Sequence, residues 1–285
     1  GDCPTCSCSG RTTPSSAPIS SRGWVYAVGR LIPQFPDYGV EREFAQLGAD
    51  AQALSGGIEG DRLRVILKDP NNAYLARQLC WVFFVGDVEA FTLICRDDAD
   101  ARRFVEALPS SELAERTVQT IIGVVASPPP GSPCGTSGLP AVWIDHHLTF
   151  NLDEFLDAIA IDTPRDSKAT KEAKSGDIFR TAARDIFLRL TRRSDNRGVT
   201  DEHRALNYLA LRYPQLYRHI ANAYAEEKLL TGIDSRRWPS TNRALVAIRI
   251  HLRGRRTDLI ERYQCVVDVT DRFPFLASPL TQIYD

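Results

Sequence analysis

The sequence predicts an α+β fold, in which antiparallel hairpins pack with helices, and it leaves room for two sub-domains. Two observations predict this class. Apolar runs with strand-forming residues alternate, in mixed order, with segments that show helical periodicity. Several strand-like runs are joined by short turns, whereas parallel strands need crossovers of a dozen residues or more. Antiparallel pairing is therefore favoured.

The first half of the chain supplies most of the predicted strands. The run 74–95 is interpreted as a hairpin, because Gly86 and Asp87 interrupt two apolar runs and form a dipeptide suited to a two-residue turn. Pro and Gly in 127–140 exclude helix and strand there. Further strands are expected at 24–33, 117–127 and 141–151, and helices at 41–49, 97–108 and 152–159.

The second half is expected to begin with helices and to end with a hairpin. Thr200 is a predicted N-cap, since Asp201 and Glu202 follow it in what would be the first helical turn. Pro214 is expected to end or kink that helix. The other helices are predicted at 179–195 and 216–227, the hairpin strands at 244–254 and 259–270, and an irregular stretch at 271–285.

Composition shifts predict four segments along the chain. Residues 1–21 form a cysteine-containing leader and linker, because a segment rich in Ser, Pro and Thr cannot bury enough apolar surface to fold. Residues 22–161 form an N-terminal α+β part, and the polar stretch 162–177 is a connection. Residues 178–285 hold the C-terminal helices and the β-hairpin.

Composition and charge exclude several classes of protein. The 285 residues are 43% apolar and 25% charged, and the net charge is −1, so no overall field attracts nucleic acid or anionic lipid. Neither a membrane-spanning run nor a signal peptide is found, which predicts a cytoplasmic protein with no membrane partner. The absence of methionine leads us to expect one domain of a longer protein. The near-zero charge and the apolar segment 273–280 predict a homodimer.

The opening residues GDCPTCSCSG gather three thiols and suggest a metal site. Cys3 and Cys6 have the Cys-x-x-Cys spacing that forms half of many structural zinc sites. Cys8 and Cys134 are predicted to complete a tetrahedral zinc site, because Cys134 lies in a loop rather than in an apolar run. An inert tail and a redox or disulfide pair are the alternatives. The remaining cysteines are expected to be buried free thiols, namely Cys80, Cys95 and Cys265.

Searches for catalytic motifs find no complete set of residues. The stretch IDHH at 144–147 resembles part of a manganese phosphoesterase signature, but the paired aspartates of an earlier strand are missing, and strand alternation would send His146 and His147 to opposite faces. The polar first turn of the predicted 200–214 helix is the strongest candidate for binding or proton transfer. Its residues are Asp201, Glu202, His203 and Asn207, and the alternative is that His203 only caps the helix.

Four blocks of sequence resemble a known family. They are WVYAVGRLIPQFPDYGVEREFAQ at 24–46, YLARQLCWVFFV at 74–85, DNRGVTDEHRALNYLALRYPQLY at 195–217, and TDLIERYQCVVDVTDRFPFLASPLTQIYD at 257–285. They resemble the C-terminal domain of unknown function of PatG-type cyanobactin maturation proteins. Members of that family tend to carry a Cys-x-x-Cys before the first strand and a cysteine in the Pro-rich loop, as Cys3, Cys6 and Cys134 do. Cys8 and the DHH triplet depart from the family pattern.

The resemblance implies a role in making ribosomally synthesised, post-translationally modified peptides. We therefore expect a non-catalytic accessory or interaction domain that contacts a precursor peptide or maturation enzymes. The alternative is a peptide-modifying or metal-dependent enzyme centred on His203. The subtilisin-type catalytic residues associated with the family belong to another domain, and none is carried over to this chain.

Overall fold

The computed structural model describes residues 23–49, 57–135, 137–161, 172–192, 195–257 and 259–284. Within these residues, no helix is long and apolar enough to cross a membrane. The strands are β1 (Trp24–Gln34), β2 (Cys80–Val85), β3 (Val88–Leu93), β4 (Thr117–Ala126), β5 (Ala141–Asn151), β6 (Lys228–Trp238), β7 (Leu245–Gly254), β8 (Ile260–Asp268) and β9 (Phe275–Ile283). The α-helices are α1 (Tyr38–Gln46), α2 (Gly57–Lys68), α3 (Asp98–Ala107), α4 (Leu152–Ile161), α5 (Glu172–Thr191), α6 (Asp201–Arg212) and α7 (Pro214–Ala225), and a 3-10 helix spans Pro70–Arg77.

The first five strands form a closed barrel in the order β1-β2-β3-β5-β4. All neighbours pair antiparallel except β3 and β5, whose short parallel contact closes the barrel. Because side chains alternate across a strand, each strand directs one set of apolar residues inward. The resulting core also receives residues from α1, α2 and α3, and its largest members include Trp81, Phe83, Phe91 and Phe104.

The last four strands form a second, antiparallel sheet in the order β6-β7-β8-β9. Val246, Ile248 and Ile250 of β7 alternate on one face of this sheet and are fully buried against helices. The helices α4 to α7 contribute to the same core. Val28 of β1 also belongs to this core, and α6 contacts both β1 and β7, so α6 lies between the barrel and the second sheet.

Several predictions from the sequence are confirmed. The α+β class holds, and β2 and β3 form the predicted hairpin, with Val85 opposite Val88 and Gly86 at a φ of 61° in the turn. Thr200 caps α6 by accepting a hydrogen bond from the backbone N–H of His203 at 3.1 Å. The positive φ of Gly86 explains why a glycine suits this turn.

Other elements differ from the prediction. The stretch expected to be irregular forms strand β9, and the predicted C-terminal hairpin is therefore part of a four-stranded sheet that also includes β6. Strands β6 and β9 lie at the two edges of this sheet, where exposed polar residues and Pro279 are tolerated. These residues interrupt the alternation of apolar side chains from which a strand is predicted. Helix α2 was also not predicted, and residues 74–77 belong to the 3-10 helix rather than to a strand.

The two histidines of β5 lie on opposite faces of the barrel wall, as alternation predicts. His146 is exposed, with its ring 5.5 Å from that of Phe273. His147 lies opposite Ile121 and faces inward, with Nε2 3.3 Å from Oε1 of Gln119. Burial, aided by the charge of Arg103, lowers the pKa of His147 to about 4. His147 is therefore neutral at pH 7, and the two rings cannot share one metal ion.

The lowered pKa of His147 predicts a specific loss of stability in acid. The unfolded side chain takes up a proton near pH 6.5 and the folded one only near pH 4, so the stabilisation is complete above pH 6.5 and is lost as the pH falls toward 4. By pH 5 the loss should reach about 2 kcal/mol. Urea unfolding of the wild type and His147→Gln at pH 7 and pH 5 measures it. Equal losses in both proteins would contradict the assignment.

Candidate functional site

The acidic residues at the start of α6 contact the second sheet. Asp201 Oδ2 lies 3.4 Å from Nη2 of Arg237 on β6, and Glu202 Oε1 lies 3.9 Å from Nε of the same arginine. Burial raises the pKa of Asp201, and the charges of Arg204 and Arg237 partly offset that shift. Both carboxylates are thus engaged with arginine, an arrangement that joins α6 to an edge strand.

His203 and Asn207 lie on the side of α6 that faces the barrel and the preceding loop. His203 is 7% exposed, and its Nε2 is 3.9 Å from Oδ2 of Asp195. Asn207 is fully buried; it donates to the backbone oxygen of Tyr26 on β1 at 2.8 Å and accepts from Asn196 at 2.9 Å. The four predicted residues are therefore at one end of one helix, but they face different partners.

The loop before α6 is also attached to β1. The N–H of Tyr26 donates to the oxygen of Gly198 at 2.8 Å, and Gly198 has a φ of 74°. A Cβ at this position would lie 2.4 Å from the oxygen of Tyr26, so only glycine fits. Backbone and side-chain hydrogen bonds together hold the 196–207 region against the barrel.

Arg204 is the residue of this region that sequence reasoning missed. Its side chain is fully buried, and the guanidinium donates to the backbone oxygens of Val269 at 2.9 Å, of Arg272 at 3.3 Å and of Asp271. Burial lowers the pKa of Arg204 to about 10. Arginine is rarely buried, so the sequence alone places it in solvent; its position directly before the buried pair Ala205 and Leu206 was the only signal.

Arg204 therefore fixes the turn between β8 and β9. This turn presents Phe273 and Phe275, which are about half exposed. The guanidinium of Arg272 lies 5.0 Å from the ring centroid of Trp24 and forms an ion pair with Asp145 at 3.3 Å. The apolar segment 273–280 is covered in part by its own chain, because Leu276 and Leu280 pack against the second core. The homodimer stays a prediction.

Cys134 pairs with Cys80 in a disulfide, with the two Cα atoms 5.0 Å apart. The expectation that Cys80 is a free thiol is therefore wrong. Cys95 and Cys265 are free, as expected, but only Cys265 is buried, because Cys95 is partly exposed. The disulfide joins the 127–140 loop to β2 beside Val82, Phe84 and Leu139. A disulfide sulfur is not a thiolate, so Cys134 can bind zinc only after reduction. Cys3, Cys6 and Cys8 lie outside the described residues, and no metal-binding cluster is found within those residues.

A groove lies between the C-terminal end of α5 and strand β6. Its volume is about 420 Å³, and Leu188, Arg189, Arg192 and Ile233 line it. Arg189 pairs with Asp185 at 2.9 Å and donates to the oxygen of Leu230 at 3.1 Å. His203 does not line this groove. Sequence reasoning missed the groove because it depends on β6, a strand that was not predicted.

Replacing Arg204 by methionine should destabilise the protein by about 2–4 kcal/mol, because it leaves buried carbonyl oxygens of the β8–β9 turn without donors. Hydrogen exchange should rise most in 269–275. Thr200→Ala, which removes only the α6 cap, serves as a milder control with an expected loss of about 1 kcal/mol. Urea unfolding and exchange mass spectrometry measure both. An Arg204→Met protein as stable as the wild type would contradict the role of this side chain.

Comparisons with known proteins agree with the resemblance seen in the sequence. Residues 173–283 match the family model described as PatG C-terminal. No curated protein matches the chain. A solved structure described as "PatG Domain of Unknown Function" has 16% sequence identity and a TM-score of 0.67, and the match covers 92% of this chain and 99% of that chain. At this level of identity, the structural likeness shows the fold.

The predicted resemblance is thus confirmed by two independent comparisons. The family match includes the 195–217 block, in which α6 joins the barrel to the second sheet. The structural match extends through the barrel as well, since it covers 92% of the chain. Residues 173–283 therefore resemble the PatG C-terminal family, and the chain as a whole has the fold of the solved PatG domain of unknown function.

Proposed function

We propose that this chain is a non-catalytic interaction domain in the maturation of ribosomally synthesised, post-translationally modified peptides of the cyanobactin type. It contacts a precursor peptide or the enzymes that process it. The pathway is proposed from the name of the matched family and from the sequence resemblance, because a shared fold does not by itself define a function.

One observation supports the non-catalytic part of the proposal. The polar residues at the start of α6 are engaged in contacts between elements of the fold: Asp201 and Glu202 with Arg237, and Asn207 with Tyr26 and Asn196. General acid–base catalysis needs a titrating group within reach of a bound substrate. The groove described above is lined by other residues.

The proposal predicts binding without chemistry. A cyanobactin precursor peptide mixed with the purified chain should give heat of binding in calorimetry and should keep its mass after prolonged incubation. A chain that binds neither the precursor peptide nor the maturation enzymes would contradict the proposal. A change in peptide mass that His203→Ala abolishes would support the enzyme alternative. His146→Ala, which alters an exposed histidine of β5, is the matched control and should behave as wild type.

We also propose that the reduced protein binds zinc. The predicted ligands are Cys3, Cys6, Cys8 and Cys134, and reduction of the Cys80–Cys134 disulfide would supply the thiolate of Cys134 and place a further thiol, that of Cys80, beside it. Four thiolates at about 2.3 Å satisfy tetrahedral zinc. Because the two cores do not depend on these residues, loss of the metal should loosen the leader and the 127–140 loop and leave the rest folded.

Elemental analysis of protein purified with a phosphine reductant and without chelator tests the zinc site. We expect about one zinc per chain in the wild type and less than about 0.2 in a Cys80→Ser/Cys134→Ser double variant, in which neither thiol of the former disulfide remains. Cys95→Ser changes a free cysteine away from the disulfide and should retain the metal. A wild type without zinc, or a double variant that keeps it, would contradict the participation of Cys134.

A further inference from the structure

The two edges of the second sheet differ in which of their backbone N–H and C=O groups have hydrogen-bond partners. At the β9 edge, the N–H groups of Leu276 and Leu280 donate to the hydroxyls of Tyr208 and Tyr213 at 3.1 and 2.9 Å. Pro279 has no N–H to offer. Tyr208 of α6 and Tyr213 directly after α6 therefore block this edge against further strand pairing, a common form of edge protection.

At the β6 edge, a side chain bonds the backbone near the start of the strand. The carbonyl of Leu230 accepts a hydrogen bond from the guanidinium of Arg189. From Gly232 to Trp238, β6 pairs with β7 on one side, and no strand in the described part of the chain pairs with its other side. In an antiparallel ladder, alternate residues direct N–H and C=O groups away from the neighbouring strand. This edge therefore presents donors and acceptors for another strand.

The groove beside this edge provides a place for such a strand. Leu188 and Arg189 of helix α5, together with Arg192 directly after its end, lie on one side, and Ile233 of β6 lies on the other. An open edge strand with a helix alongside is the geometry by which several peptide-binding domains add an extended ligand to a sheet. Backbone hydrogen bonds supply affinity in that mode, and pockets for alternate side chains supply specificity.

The charges along the groove and the edge define the ligand class. Arg192 is exposed, and no ion pair is found for it within the described residues. Arg236 on the strand is exposed as well. Acidic groups nearby already have partners, since Asp185 pairs with Arg189 and Asp234 pairs with His251 at 2.7 Å. The unpartnered charge beside the edge is therefore positive, which favours a ligand with carboxylate side chains.

We propose that the groove between α5 and β6 binds an extended, acidic peptide segment that adds to β6 as a fifth strand. This inference deepens the proposed function, on which it rests, by assigning a site and a ligand class to the peptide-binding role. Apolar side chains of the ligand contact Leu188 and Ile233, and its acidic side chains contact Arg192 and Arg189.

Two blocked octapeptides of alternating sequence test the proposal, one built from Glu and Val and the other from Lys and Val. Both favour extended structure, and they differ in charge. Calorimetry at low salt should detect binding of the Glu–Val peptide alone, and hydrogen exchange should fall at 231–238. Arg192→Glu should weaken binding by at least about tenfold. Arg102→Glu, which reverses an exposed charge on α3, should leave binding unchanged and is the matched control.

Several outcomes would overturn the proposal. They are equal binding of the two peptides, no binding of either, or protection at 273–276 in place of 231–238. If neither peptide binds, the arginines at this edge serve only to prevent aggregation. A precursor peptide that binds wild type and Arg192→Glu equally would leave the proposed function intact and remove this site. Circular dichroism of each variant confirms that it is folded.

Discussion

The fold depends on polar side chains of α6 that are buried between the barrel and the second sheet. Burying a charged guanidinium is unfavourable unless its N–H groups find acceptors. Arg204 donates to the backbone carbonyls of Val269, Asp271 and Arg272 in the β8–β9 turn. Asn207 provides the matching contact on the other side, to Tyr26 of β1. Hydrogen bonds require particular distances and directions, so these two residues fix the relative position of the two parts more closely than apolar packing does.

This arrangement explains why the 195–217 block of the family resemblance has the residue types of a functional site. A helix that begins with Thr, Asp, Glu and His resembles the polar floor of a cleft when only the sequence is known. The same residue types are needed where a helix end is buried, because its first N–H groups and its neighbours' carbonyls must find partners. In this chain, Thr200, Asp201 and Asn207 all have such partners.

Local features could be predicted from the sequence, and long-range pairings could not. The β2–β3 hairpin, the Thr200 cap and the opposite orientations of His146 and His147 follow from turn chemistry, capping and alternation within a few residues. Closure of the barrel depends on a parallel contact of only two residue pairs between β3 and β5, which no local pattern encodes. The disulfide joins residues 54 positions apart, and the local sequence around each cysteine is that of an ordinary buried or loop thiol. The buried Arg204 and the open β6 edge were missed for the same reason, since both depend on distant neighbours.

The hydrogen bond from Asn207 to Tyr26 links residues 181 positions apart. During synthesis from the N-terminus, β1 is made long before the helix that completes its contacts, although its barrel partners β2 and β4 follow much sooner. Pairings of such high sequence separation form slowly because the loop-closure entropy is lost before the contacts form. The barrel strands are therefore synthesised, and can pair, before α6 is made. Until α6 packs against β1, Val28 and the backbone oxygen of Tyr26 remain exposed to solvent. A chaperone that shields this surface would act on an intermediate that chain order itself creates.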